Sequence, residues 1–201
     1  MKPFSFESNI FLNAQYVVFN EEFTSMETFS DFLLANHQDW VKEAQKGNVE
    51  ALLRLAISCS VLDDNYNQAI YFGQCALNAA RDSGLLLGRF WFTLGFVYQG
   101  NEDIDSAKNS FLNAIQSGFG NAFTNLGDIV LVYDQNLRDA VYFWKTGRDE
   151  HNIEDCRQSL SDIETEPGTY SASIQLDDGS IEMIFYNDTP DGFGPIVSKN
   201  P

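Results

Sequence analysis

Few residues in this chain of 201 are of types that build metal centres or nucleophile–base pairs. Three cysteines (Cys59, Cys75 and Cys156) and two histidines (His37 and His151) are scattered along it. No two cysteines are spaced Cys-x2-Cys, and His151 and Cys156 stand five apart, a poor spacing for one helical face. Cys59 and Cys75 read as small buried thiols. Asp177-Asp178-Gly179-Ser180-Ile181-Glu182 shares part of the pattern of a calcium loop, but Ile174 and Leu176 occupy the upstream ligand positions, so a hairpin turn accounts for it better. Gly118-x-Gly120 lacks the third glycine of a dinucleotide loop, and no Gly-Lys-Ser/Thr follows it. Neither histidine lies in a catalytic signature. His37 is expected on the rim of a helix, and His151 near a helix C-terminus, where a cation suits the dipole. Carboxylates are so numerous that acid pairs arise by chance, and none is singled out. The expectation is a chain without catalytic residues, without a cofactor and without a metal.

Composition narrows the partners. Twenty-nine acidic residues against 12 basic ones give a net charge of −17, which opposes a sequence-independent grip on nucleic acid or an anionic membrane. The same charge speeds encounter with basic proteins. An aromatic share of 14% with 17 Phe is too rich for a disordered chain. An odd cysteine count fits a reducing compartment, and the first residues, interrupted by Glu7 and Asn9, lack the apolar stretch of a signal peptide. The expected location is therefore cytoplasmic, which leaves the sequon Asn187-Asp188-Thr189 without meaning.

Any site must be held by the middle of the chain, which is repetitive. Ala51-x3-Leu55-Ala56, Phe90-x3-Leu94-Gly95 and Ala122-x3-Leu126-Gly127 are three versions of one motif. Each is followed by a small residue (Ala69, Ala107, Ala140), then a midpoint (Gly73, Phe111, Trp144), then a second small residue (Ala76, Ala114, Gly147). The first alanines are spaced by 38 and then 33 residues. Apolar residues at three- and four-residue spacing make one face of each of two helices, and small residues allow close approach while a bulky midpoint fills the gap. Polar turns separate the two: Asp63-Asp64-Asn65, Gly100-Asn101-Glu102-Asp103 and Asp134-Gln135-Asn136. Gly47, Gly84 and Gly118 fall where the second helices should end.

The second unit, Trp91-x2-Leu94-Gly95-x2-Tyr98-x8-Ala107-x3-Phe111-x2-Ala114, resembles a tetratricopeptide repeat in all but its closing proline. The junctions Trp40-x3-Ala44-x2-Gly47-x3-Ala51 and Ala114-x3-Gly118-x3-Ala122 resemble the related Sel-like repeats. Cys59 stands in the tyrosine position of the first unit, and two extra residues lie between Gly84 and Leu94. The resemblance, over about residues 40–150, implies a short α–α superhelical array with a concave face that binds protein.

Around the array, residues 1–23 read as extended or strand-like, notably Ile10-Phe11-Leu12 and Tyr16-Val17-Val18-Phe19. Residues 24–150 form the repeat domain, opening with a lead-in helix from a capping box at Thr24 and Glu27 to about Lys46. That helix carries Phe29, Phe32, Leu33, Asn36, Trp40 and Ala44 on one stripe. Residues 151–201 form an acidic appendage with a β-hairpin over about 169–186 and a tail of irregular pattern from Asn187. The fold class is mainly α with a small C-terminal hairpin.

The repeat register places Leu53, Ile57, Arg89, Phe92, Phe96, Gln99, Thr124, Asp128 and Leu131 on the concave face. Phe92 and Phe96, four apart, would anchor a partner there unless the N-terminal segment or the hairpin covers them. Glu154, Asp155, Asp162, Glu164 and Glu166 make an acidic partner surface. The expected function is non-enzymatic binding of a basic protein, in its specific form as an immunity protein that neutralises a toxin. The alternatives are an adaptor with several partners and an enzyme with an unrecognised carboxylate site.

Overall fold

A computed structural model describes residues 18–19, 23, 25–62, 65–175 and 180–188. Eight α-helices and three strands occur among them, and the fold is mainly helical with a small antiparallel sheet towards the C-terminus. The expectations for Ile10 to Leu12, Thr24, Asp63-Asp64, Asp177-Asp178-Gly179 and the tail from Thr189 lie outside the described residues. No described helix is long and apolar enough to cross a membrane.

The chain divides into two compact units, residues 1–119 and 120–201. In the first, α1 (Met26–Gln45) is followed by α2 (Val49–Leu62), α3 (Tyr66–Asp82), α4 (Gly88–Gly100) and α5 (Ile104–Gln116). The second holds α6 (Ala122–Val132), α7 (Leu137–His151), α8 (Glu154–Ile163), β1 (Glu164–Glu166), β2 (Thr169–Gln175) and β3 (Ile181–Asn187). Helices α2/α3, α4/α5 and α6/α7 are the three pairs expected from the repeats, and α1 is the lead-in.

Local chemistry repeats with the sequence. The second helix of each pair starts at an Asx cap: Asn65 Oδ1 accepts from the Gln68 N–H, Asp103 Oδ1 from Ser106 and Asn136 Oδ1 from Asp139, at 3.1–3.3 Å. Helix α1 and helix α5 each end on a left-handed glycine, Gly47 at φ 85° and Gly118 at φ 84°. Beyond them the N–H groups of Asn48 and Phe119 return to the carbonyls of Glu43 and Ala114, which satisfies carbonyls that the helix end leaves free. Helix α1 starts one residue later than its capping signal suggests. Ser25 is the N-cap and Thr28, not Glu27, closes the box, because the Thr28 hydroxyl accepts from the Ser25 N–H at 3.2 Å.

Close packing follows from the small positions. A Cβ on Gly95 would lie 2.8 Å from the Phe111 ring, and one on Gly127 would lie 2.4 Å from Trp144 Nε1. In the first pair the midpoint itself is small, and Gly73 receives Leu94 from α4, where a Cβ would stand 2.7 Å from Leu94 Cδ2. Between α3 and α4 the Gln74 amide also donates to the Tyr98 hydroxyl at 3.0 Å. The core of the first unit joins Phe29, Leu33 and Trp40 of α1 to Leu53, Leu55 and Ile57 of α2 and to Phe90, Leu94 and Phe96 of α4. Phe32, Asn36 and Ala44 complete the α1 stripe in half-buried positions.

Two sequence expectations change. Val18 and Phe19 carry helical rather than extended backbone. The Phe19 ring meets Phe29, Phe32 and Trp40 at 5.5–5.6 Å, so burial against α1 decides its conformation. The hairpin is not alone. β1 adds a third antiparallel strand, in the order β1-β2-β3, with β2 and β3 paired from Thr169↔Asn187 to Gln175↔Ile181. Three strands packed on helices have the support that a lone hairpin lacks.

Trp144 is fully buried, with no room to retreat from a methyl group placed on the helix opposite. Gly127→Ala is therefore expected to destabilise the protein by about 1–3 kcal/mol. Overpacking outweighs the roughly 1 kcal/mol that alanine brings to a helix interior. The urea midpoint of unfolding checks this, and an unchanged or higher midpoint would contradict it.

Candidate functional site

In the first unit the residues assigned to the concave face are largely core. Leu53, Ile57 and Phe96 belong to one buried cluster, and Gln99 is buried too. Phe92 is 2% exposed, its ring against Phe111 at 5.6 Å and against Phe119 at 5.0 Å. The expectation of an open aromatic anchor at Phe92 and Phe96 is therefore corrected. The ring of Phe119, from the connection after α5, and that of Phe111 on α5 together cover Phe92. Only Arg89 keeps substantial exposure, 34% of its side chain; it forms an ion pair with Glu50 and lies 5.2 Å from the centroid of the Phe90 ring. Burial draws its guanidinium below the ordinary value.

In the second unit Thr124, Asp128 and Leu131 are likewise buried. The Trp144 indole N–H is shared between the Thr124 carbonyl and Asp128 Oδ1, both at 3.2 Å. Thr124 Oγ1 lies 3.1 Å from Cys156 Sγ on α8. Helix α8 packs on α6 as well as α7, and the repeat register has no way to anticipate this covering helix. Burial pushes the Cys156 thiol up to about 11, with the hydrogen bond it shares with Thr124 opposing the rise.

The five carboxylates of the expected acidic surface are all exposed, and the structure places them on one continuous stretch where α8 runs directly into β1. Helix α8 turns Cys156, Ser159, Leu160 and Ile163 inward. Glu154 pairs with Arg157, and Asp162 accepts from the Gln158 amide at 2.7 Å. Glu164 Oε1 accepts from the Gly168 N–H at 3.0 Å, which closes the turn between β1 and β2. Desolvation first, and then the neighbouring Glu154, raise the Asp155 carboxyl above its usual range. Arg157 is engaged by Glu154, and the Glu164 carboxylate also acts on the guanidinium of Arg148.

A second polar cluster had no legible sequence signal. Lys145 on α7 pairs with Asp188 at the end of β3, 43 residues away, and lies 5.3 Å from the centroid of the Tyr170 ring. Tyr170 stacks on Tyr186 at 6.2 Å, and both are buried. Burial pulls the Lys145 ammonium down, but its contacts with Asp188 and Tyr170 outweigh that and leave it raised. A surface depression of about 210 Å³ opens beside it, bordered by Tyr142, Thr146, Glu150 and Tyr186. Its chemistry is that of a clasp between sheet and helix, a cation held by a carboxylate and a ring.

The histidines are structural in their surroundings. His37 Nδ1 lies 2.8 Å from Ser58 Oγ, the distance of a nucleophile–base pair, but the Ser58 hydroxyl is fully buried and the bond ties α1 to α2. His151 ends α7 and lies against the Phe123 ring at 5.0 Å. No group of three or more His, Cys, Asp or Glu side chains suited to a metal ion occurs among the described residues. Comparison with protein-family models, with curated proteins and with solved structures gives no match.

Thiol chemistry tests this arrangement. Cys59 and Cys156 are buried and Cys75 is partly exposed. With Ellman's reagent at pH 8 the folded protein is expected to show one fast thiol, lost in Cys75→Ser. A thiol titrating near 11 is roughly one part in a thousand thiolate at that pH. Fast reaction of two or more thiols would contradict the packing of α8.

Proposed function

We propose that this chain is a protein-binding module of tetratricopeptide or Sel-like repeat type that takes a basic protein as its stoichiometric partner. The observation that carries the reading is the exposed carboxylate stretch of Glu154, Asp155, Asp162, Glu164 and Glu166, in a chain of net charge −17. Helix α8 and the sheet hold these groups on regular elements rather than on a loop. Their field attracts a positive patch, speeds its encounter and rejects acidic competitors. The specific form of the proposal is an immunity protein that occupies the basic cleft of a toxin. Recognition is assigned to the α8–β1 stretch, because Phe92 and Phe96 are engaged within the fold.

Capture from host lysate at low and high salt, followed by titration of the captured protein, tests the proposal. One basic partner is expected, weakened but not lost at high salt. Replacing the five carboxylates by their amides is expected to weaken it at least tenfold, or about 1.4 kcal/mol, and to flatten its salt dependence while the helical circular dichroism stays unchanged. Equal affinity of the amide variant would refute the surface, and a captured partner without net positive charge would refute the proposal. Inhibition of the partner's activity on binding tests the immunity form.

A further inference from the structure

We propose that two copies of this chain associate through the outer edge of β3, antiparallel, so that their three-stranded sheets join into one. The backbone register of the sheet carries this inference. The strand order is β1-β2-β3, and among the described residues no strand pairs with the second edge of β3. The Asp188 N–H donates to the Gly168 carbonyl at 2.8 Å, which makes these two residues a hydrogen-bonded pair. The register then turns the peptide groups of Tyr186, Ile184 and Glu182 towards β2. Those of Ile181, Met183, Phe185 and Asn187 therefore point to the opposite edge. Natural edges are guarded by a short strand, a bulge, a proline or a lysine. β3 has none of these: it runs seven residues, pairs with β2 without a bulge, and carries Glu182 as its one charged residue. Ile181, at its start, is 73% exposed.

The strand is complementary to itself. With Ile184 opposite its counterpart in the second copy, Met183 faces Phe185 and Ile181 faces Asn187. The outward peptide groups of all four residues are then paired on both copies. Isoleucine on isoleucine and a thioether against a ring are favourable cross-strand pairs. Glu182 stands opposite Tyr186 rather than opposite its own counterpart, so like charges are not apposed. That pair is of the non-hydrogen-bonded kind, in which side chains lie closest. Charge there is complementary. Burial and then Asp188 raise the Tyr186 hydroxyl, while Lys145 and Arg138 act on it in the opposite sense, so two cations and one carboxylate lie about it. An incoming Glu182 meets that net positive region at both ends of the joint. The contact uses the same surface on both copies and closes on itself, so association stops at a dimer. This inference is independent of the basic-partner reading, because it uses a backbone edge and a second copy of this chain.

Sedimentation velocity of the full chain over a concentration series tests it, at physiological ionic strength, where charges more than about 8 Å apart are largely screened. A reversible monomer–dimer equilibrium is expected. Met183→Pro removes an outward N–H and spares the ladder to β2, so the dissociation constant is expected to rise about tenfold or more with circular dichroism unchanged. If that variant does not fold, Glu182→Lys serves, because position 182 is exposed. The lysine makes the chain less negative, so general repulsion between copies falls and an unspecific contact would tighten. In the proposed register it meets Lys145 and Arg138, and association weakens severalfold. A monomer at every concentration overturns the proposal, as does a dimer that either folded variant leaves as tight or tightens. Capture of a basic partner is decided separately, by its own experiment.

Discussion

Two of the helix pairs close on a position where a Cβ would collide with a ring, and the step from α3 to α4 closes on one where it would collide with a leucine. Gly95 meets Phe111, Gly127 meets Trp144, and Gly73 meets Leu94. Interiors are packed as tightly as organic crystals, so the distance between two helices is set by the atoms at their contact. Removing one side chain from one helix lets the partner's ring lie on bare backbone, and the surrounding apolar faces then fall into register. The helix-end glycines and the Asx caps have a secondary task. They aim the next helix, but the glycine–ring contacts fix how close it comes.

The same economy explains why the expected groove is not open. A helix packed this closely buries residues over much of its circumference, and α2, α4 and α6 each bury most of their length. Phe119 covers Phe92 in the first unit, and α8 covers Thr124 in the second. Charged groups are left at the edges. Carboxylates crowd the α8–β1 stretch, while Glu50 and Arg54 share a face of α2, where Arg89 of α4 pairs with Glu50.

The sequence made the helix pairs legible because their signal is local and repeated. Asn65, Asp103 and Asn136 each stand eight residues before the midpoints Gly73, Phe111 and Trp144, and each unit can be read within about forty residues. What was missed depends on long-range contact or is too short to carry a pattern. The covering of Thr124 by Cys156, the Lys145–Asp188 clasp and the strand β1, three residues of alternating charge and hydroxyl, leave no periodic trace. Phe92 shows the limit most clearly. Its register on the helix suggested an open face, but only the fold shows its ring packed between Phe111 and Phe119.

A double-mutant cycle at Gly95 and Phe111 tests the central claim most directly, because their contact is specific to one helix pair. Gly95→Ala, Phe111→Leu and the double variant would be compared with the parent by urea unfolding. Contacting residues couple by about 0.5–3 kcal/mol, and the smaller leucine should make room for the new methyl, so the double variant is predicted to be more stable than the sum of the single losses. Strict additivity would show that the glycine and the ring do not set the helix spacing, and would contradict the account.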